Sequence, residues 1–237
     1  DKLTNKLRTP LTAARNMASN TQSDVSEEPR PKPDDPLKNA NDQMYRVSRM
    51  IHDFLDITKI DTGSMELDRT EFDAKELVTE TTAQFEFLAS QKKVTVREHL
   101  SSDSLNLYAD RRKTGQALGN LIDNAVKFNR QGGHVCVRLN GYDDQVRIEV
   151  EDDGPGLSDD VISAVSSNYI QKIRQTGPDG QGAGLGLSIA KGIVELHGGV
   201  MTAENKLDGG ALFAIELPVY ELKDNKIELN NRMQMTL

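Results

Sequence analysis

Apolar residues near the amino terminus recur every three or four positions, which is the period of an amphipathic helix. The pattern predicts a first helix over about residues 2–20. Its apolar positions are Leu3, Leu7, Leu11, Ala14 and Ala18. Pro10 lies inside this pattern, where it removes a backbone hydrogen bond and displaces the carbonyl group of Lys6. We therefore expect a kink in the first helix.

A second helix is predicted after the charged, proline-rich stretch SDVSEEPRPKPDDP, which is typical of a loop. Its apolar positions follow a heptad-like seam at Ala40, Met44, Val47, Ile51, Phe54 and Thr58. Two helices joined by a loop form an antiparallel hairpin, and two hairpins bury such seams by dimerising into a four-helix bundle. The alternative is a hairpin packed against the second domain of its own chain.

The pattern changes after Gly63, where short alternating segments typical of strands are interspersed with helical ones. Helices are predicted at about residues 73–90, 111–128 and 185–197, and strands at MELDRTEF, VTVREHL, LNLYA, HVCVRL, QVRIEV, VMTAEN and ALFAIELP. The order predicts a mixed or antiparallel sheet with helices on one face. We divide the chain into a helical hairpin (1–66), an α/β domain (67–220) and a tail (221–237), with a hairpin around Asn230 and Asn231.

Composition excludes several classes of protein. The 237 residues are 36% hydrophobic, enough for a packed core, and the net charge of −8 argues against a nucleic-acid partner. The single cysteine, Cys136, excludes a disulfide framework and indicates a reducing compartment. No apolar run approaches the ~20 residues of a membrane span. We expect a cytoplasmic location, with membrane contact only through segments outside this sequence.

The segment GPDGQGAGLGLSIAKG carries glycines before and into a predicted helix. Glycines let backbone N–H groups approach a phosphate closely, and the start of a helix adds unpaired donors. A dinucleotide fingerprint is disfavoured because a polar stretch precedes the glycines, and a P-loop is excluded because no Lys-Ser or Lys-Thr follows them.

Two further motifs lie upstream. Asp152 ends a strand and begins D-x-G-x-G, and a carboxylate held there accepts a hydrogen bond from the exocyclic amine of adenine but repels the oxygen of guanine. In LGNLIDNAVKF, Asn120 and Asn124 share one helical face, with Lys127 one turn on. The amide oxygen of Asn124 suits Mg²⁺ held mainly by phosphate oxygens, and Lys127 screens phosphate charge.

Together the three motifs, in the order N-x-x-x-N, D-x-G-x-G and G-x-G-x-G, resemble the GHKL ATPase/kinase superfamily. With TNKLRTPL near the start, the chain is more narrowly similar to the transmitter core of two-component sensor histidine kinases. The resemblance implies an α+β fold: a hairpin forming a dimeric four-helix bundle, then a Bergerat-type α/β sandwich that binds Mg-ATP, with a response regulator as partner. By position it assigns to the nucleotide site Asn120, Asn124 (also to Mg²⁺), Lys127, Phe128, Asp152, Gly154, Gly156, Lys172, Arg174, Gly182, Ala183, Gly184, Leu185, Gly186 and Leu187.

The chain departs from this family at the phosphoacceptor. The family motif is H-E-x-R-T-P-L, whereas this sequence has Asn5 and Lys6 at the first two positions. An amide is not a nucleophile, and Lys6 is not a base at its ordinary pKa, so self-phosphorylation is not expected. The resemblance also implies slow autonomous ATP hydrolysis, because Asn120 stands where hydrolysing branches place a glutamate base. The stretch between the D-x-G-x-G and G-x-G-x-G motifs, which by resemblance is the ATP lid, lacks the Phe-x-x-Phe box common in the family.

Three interpretations remain open from the sequence. The first is an ATP-binding transmitter core without its acceptor. The second is a pseudokinase that binds a partner kinase or a response regulator as a scaffold. The third is a response-regulator phosphatase, because Thr9 matches the family position that orients the attacking water.

Overall fold

A computed structural model describes residues 36–102, 104–142, 144–167, 183–223 and 226–229. The chain divides into two compact units, residues 1–56 and 57–237. The first predicted helix, with Pro10, lies outside the described residues, as does the proline-rich stretch before Pro36. None of the described helices combines the length and apolarity needed to cross a membrane.

Within the first unit the structure describes the greater part of helix α1 (Pro36–Asp61). Its first residue is a proline, whose fixed φ suits the first turn of a helix. The predicted seam residues Ile51 and Phe54 leave 46% and 38% of their surface exposed. The last turn of the helix belongs to the second unit, where Ile57 is buried. The second unit thus begins before our predicted boundary at residue 66.

The second unit contains, in chain order, β1 (Thr70–Asp73), α2 (Ala74–Ala83), α3 (Glu86–Gln91), β2 (Thr95–Leu100), β3 (Asn106–Ala109), α4 (Arg111–Phe128), β4 (His134–Gly141), β5 (Gln145–Asp152), α5 (Asp159–Ser166), α6 (Ala183–Leu196), β6 (Val200–Asn205), β7 (Ala211–Pro218), β8 (Tyr220–Lys223) and β9 (Lys226–Leu229). Strands β2, β4, β5, β7 and β6 form one sheet in that order. The β2–β4 pair is parallel and the other pairs are antiparallel, which confirms the predicted mixed sheet.

One face of this sheet carries the core. Along β5, Val146, Ile148 and Val150 are buried and alternate with half-buried polar residues. On the polar face Arg147 pairs with Glu149, at 2.7 Å, and with Glu216 of β7. Such alternation is typical of a sheet with one packed face. By the same alternation, the side chain of Asp152 at the end of β5 lies on the buried side.

The prediction of a single helix over residues 73–90 is wrong, because the structure has two helices in this range. Helix α2 ends at Ala83 and α3 begins at Glu86, with turn hydrogen bonds from Gln84 and Phe85. The break brings the ring of Phe85 against Gly119 of α4. Leu88 of α3 is exposed.

One strand prediction also needs correction. Only the last three residues of MELDRTEF belong to a strand, β1 (Thr70–Asp73), and β1 pairs with β3 rather than with the main sheet. In the tail, β8 and β9 pair antiparallel. The hairpin predicted around Asn230 and Asn231 lies outside the described residues.

Candidate nucleotide site

The first motif is held by helix α4. Asp110 caps the helix, since its Oδ1 accepts the N–H of Lys113 at 2.9 Å. Asn120 is only 8% exposed, and its Nδ2 donates to the main-chain oxygen of Gly186 at 3.1 Å. Because Gly186 belongs to the glycine-rich motif, this hydrogen bond joins the first and third motifs, which are 66 residues apart.

Asn124 lies one turn beyond Asn120 and is half-buried. Its side chain makes no hydrogen bond to any of the described residues. Near the end of the helix, the Nζ of Lys127 lies 5.1 Å from the centre of the Phe128 ring, and both side chains are exposed. The carboxyl-terminal half of the helix thus carries an amide, Asn124, and a cation, Lys127, about one turn apart.

Asp152 ends β5 and is 8% exposed. Its Oδ1 accepts two backbone hydrogen bonds, from Gly154 at 2.7 Å and from Ala211 at 3.3 Å. Burial raises the pKa of this carboxyl group, and it outweighs the two N–H donors, which act in the opposite direction. With Oδ1 occupied by the protein, Oδ2 is the oxygen left for a ligand.

Gly154 brings the second motif against helix α4. A Cβ at this position would lie 2.8 Å from Oδ1 of Asp152 and 3.1 Å from the carbonyl oxygen of Phe128. Only glycine fits this approach without displacing one of the two neighbours. The second motif and the helix that carries Asn124 therefore meet at Gly154.

Several predicted site residues lie outside the described part of the chain: Asn5, Lys6, Thr9, Lys172, Arg174 and Gly182. Ala183 and Gly184 begin helix α6, of which Leu185 is half-buried and Leu187 is buried. The structure thus brings together the Asn120, Asp152 and Gly186 regions and leaves the lid and acceptor segments undescribed.

Sequence reasoning missed the contacts of the β6–β7 hairpin with the second motif. Ala211 donates its N–H to Oδ1 of Asp152, and Asn205 accepts the N–H of Leu157 just beyond the motif. The Nζ of Lys206 lies 3.4 Å from the main-chain oxygen of Asp152 and 3.7 Å from Oδ1 of Asp153. These contacts span about fifty residues of chain, and no local pattern signals them. The Gly-Gly pair before Ala211 indicated only a turn.

His197, just after α6, is a structural residue. It is 2% exposed, its Nε2 accepts the N–H of Asp110 at 2.9 Å, and its Nδ1 lies 2.8 Å from the oxygen of Ile193. The imidazole is therefore neutral, with its proton on Nδ1. Burial lowers the pKa of His197, with a further lowering from the nearby charge of Arg69.

This geometry predicts acid sensitivity. Because the folded-state pKa of His197 is lowered, its contribution to stability is present above the unfolded value of about 6.5 and is lost as the pH falls below it. The free energy of unfolding should fall by up to about 1.4 kcal/mol per pH unit from this single group. Urea denaturation between pH 7.5 and 5.5 measures the slope.

The control variants for this experiment are His197→Gln, which has no group to titrate, and His99→Gln, which removes an exposed histidine of β2. The slope should shrink in the first variant and persist in the second. Equal slopes in the unaltered chain and in His197→Gln would contradict the prediction.

Comparison with known proteins finds two family models that match successive parts of the chain. Residues 3–63 match the family model described as the His Kinase A (phospho-acceptor) domain. Residues 109–221 match the model described as histidine kinase-, DNA gyrase B- and HSP90-like ATPase. The two models cover the helical segment and most of the α/β unit.

Individual relatives agree with the family models. Histidine protein kinase DivJ of Caulobacter vibrioides is 35% identical over 170 residues, which are 72% of this chain and 28% of DivJ. The catalytic domain of histidine kinase ThkA is 30% identical, with 65% of this chain and 96% of that domain covered and a TM-score of 0.55. The chain thus spans less than a third of DivJ.

Two longer structures share the fold. The Acinetobacter baumannii histidine kinase AdeS, 23% identical, covers 90% of this chain, with 97% of its own chain matched and a TM-score of 0.71. ThkA in complex with the response regulator protein TrrA, 24% identical, covers 92% of this chain, with 60% of its own chain matched and a TM-score of 0.67. The family models, DivJ and the ThkA catalytic domain together show that the chain belongs to the sensor histidine kinase family, with its phosphoacceptor-type and ATPase-type domains in that order.

Proposed function

We propose that the chain is the ATP-binding transmitter core of a two-component signalling protein, lacking its phosphoacceptor histidine as the sequence stands. The observation that carries the proposal is the convergence of three motifs: Asn120 bonds to Gly186, and Gly154 lies against Phe128 beside the buried carboxylate of Asp152. The three motifs are far apart in the chain, and their proximity in the fold supports a single site.

Each motif has a separate task in this proposal. Oδ2 of Asp152 accepts a hydrogen bond from the exocyclic amine of adenine. The glycine-rich motif, with the first turn of α6, donates backbone N–H groups to the phosphates, and Lys127, Lys172 and Arg174 screen their charge. Asn120 cannot act as a base, because it is an amide whose nitrogen already donates to Gly186.

Magnesium fits the same site. Among the described residues no three carboxylate, histidine or cysteine side chains are grouped as a metal site. Mg²⁺ in nucleotide sites is held by one or two protein oxygens together with phosphate oxygens and water, and the half-buried amide of Asn124 supplies one such oxygen. The ion, when bound, neutralises phosphate charge.

The helical unit supports assembly as a homodimer. The partly exposed seam residues Ile51 and Phe54 fit a second copy of the hairpin, as in a four-helix bundle. A response regulator is the expected partner, and ThkA provides a precedent because it is solved with its regulator TrrA. We infer a cytoplasmic location because ATP and response regulators are found there.

Titration calorimetry with Mg-ATP tests the proposal through Asn124→Ala. Loss of the amide ligand should weaken the binding of Mg-ATP by about tenfold, because the metal loses its protein ligand. The difference between the affinities for ATP measured with and without Mg²⁺ should shrink for the same reason. Asn140→Ala, at an exposed position of β4, is the matched control and should leave both affinities unchanged. No heat of binding from the unaltered chain would refute the proposed function.

A further inference from the structure

The loop after Asp152 is bound by one side chain from a distant strand. Oδ1 of Asn205, at the end of β6, accepts the N–H of Leu157 at 2.6 Å, and Nδ2 of the same amide donates to the oxygen of Leu157 at 2.9 Å. Both main-chain groups of one residue are thereby paired, as they would be beside a neighbouring strand. Gly156 lies against this amide, since a Cβ there would be 2.8 Å from Oδ1 of Asn205.

The other end of the loop is held by the cross-strand partner of Asn205. In the β6–β7 pair, Asn205 lies opposite Ala211. Ala211 donates its N–H to Oδ1 of Asp152 at 3.3 Å. A single residue pair of the hairpin thus contacts both ends of the loop 152–157, one end through a side chain and the other through the main chain.

The turn between these strands, residues 206–210, touches the loop as well. Gly210 has φ +89° and lies so near Asp152 that a Cβ would overlap the main-chain oxygen of Asp152. Gly209 beside it has φ +96°, but a Cβ there would meet nothing within 4 Å. The two glycines therefore share the backbone requirement and differ in their contact with the loop.

We propose that Asn205 is a positioning residue for the adenine end of the nucleotide site, and that it acts with the β6–β7 turn to fix the direction of the Asp152 carboxylate. Held by Ala211 and Gly154 on Oδ1, the carboxylate presents Oδ2 to the base. Releasing Leu157 lets the loop move and the carboxylate with it. This inference rests on the proposed ATP site and adds a determinant of adenine selectivity.

The first test is Asn205→Leu, which keeps a side chain of similar size and removes both hydrogen bonds. Binding of Mg-ATP and Mg-GTP is measured by competition, and stability by urea denaturation. The affinity for ATP should fall about tenfold while that for GTP stays the same, because the loop acts on the base and not on the phosphates. Asn140→Leu, the matched control at an exposed position of β4, should leave the ATP/GTP ratio unchanged.

A merely stabilising role for Asn205 predicts something different. In that case the ratio of the ATP and GTP affinities would be unchanged, because both affinities would stay the same or would fall by the same factor. This result would overturn the inference and leave the proposed function intact. Absence of ATP binding by the unaltered chain would instead overturn the proposed function and, with it, the role of Asn205.

The second test compares two neighbouring glycines and does not depend on how well Asn205→Leu folds. Gly209→Ala and Gly210→Ala both place alanine at a positive φ, so their costs in backbone strain are similar. Only the Cβ of Gly210→Ala would clash with the main chain of Asp152. This variant should therefore weaken ATP binding severalfold more than Gly209→Ala does. Equal ATP affinities in the two variants would count against the inference.

Discussion

Replacing Asp152 with asparagine is expected to weaken ATP binding by at least tenfold, the largest loss we expect from a single side chain. The two backbone donors on Oδ1, Gly154 and Ala211, retain the oxygen of the new amide. The amide nitrogen then occupies the place of Oδ2, so that a donor faces the donor of adenine. Loss of a charge-assisted hydrogen bond with this mismatch costs about 1.5–3 kcal/mol.

Titration calorimetry with Mg-ATP measures this loss, and Asp153→Asn is the matched control. Asp153 is the adjacent carboxylate, but it pairs with His134, at 3.1 Å, and with Lys206. We expect its variant to keep most of the ATP affinity. A second readout is pH: because burial raises the pKa of Asp152, ATP affinity should decline on acidification before an ordinary aspartate would titrate. Unchanged affinity in Asp152→Asn would show that adenine binds elsewhere.

The second large effect is a gain of activity. The double variant Asn5→His and Lys6→Glu should convert a chain that takes up no label from γ-labelled ATP into one that phosphorylates itself. An imidazole nitrogen attacks the γ-phosphorus, the bond to the bridging oxygen breaks to release ADP, and the introduced glutamate accepts the imidazole proton. Bound label after gel separation is the measurement.

Two variants control for this gain. Asn5→His alone supplies the nucleophile without its base and should label more slowly. The double variant combined with Asp152→Asn should not label, because ATP is no longer held. If the double variant binds ATP but remains unlabelled, then the acceptor segment has lost more than its two reactive residues, and the scaffold interpretation gains support.

The sequence predicted best those elements whose own period was strong. Helix α4 and strands β6 and β7 were predicted with their observed bounds, because each has one clearly apolar face. The break between α2 and α3 escaped prediction because it depends on Phe85 packing against Gly119 of another helix.

The sequence by itself indicated the family, and it predicted the three nucleotide motifs and a missing acceptor at Asn5, since each depends on residue type at short spacing. Only the tertiary structure decided what supports those motifs. The hydrogen bonds of Ala211 to Asp152, Asn205 to Leu157 and Asp110 to His197 join residues 59, 48 and 87 positions apart. Contacts at such separations arise from sheet register and helix packing, which no local pattern encodes, and they determine which oxygen of Asp152 is left for a ligand.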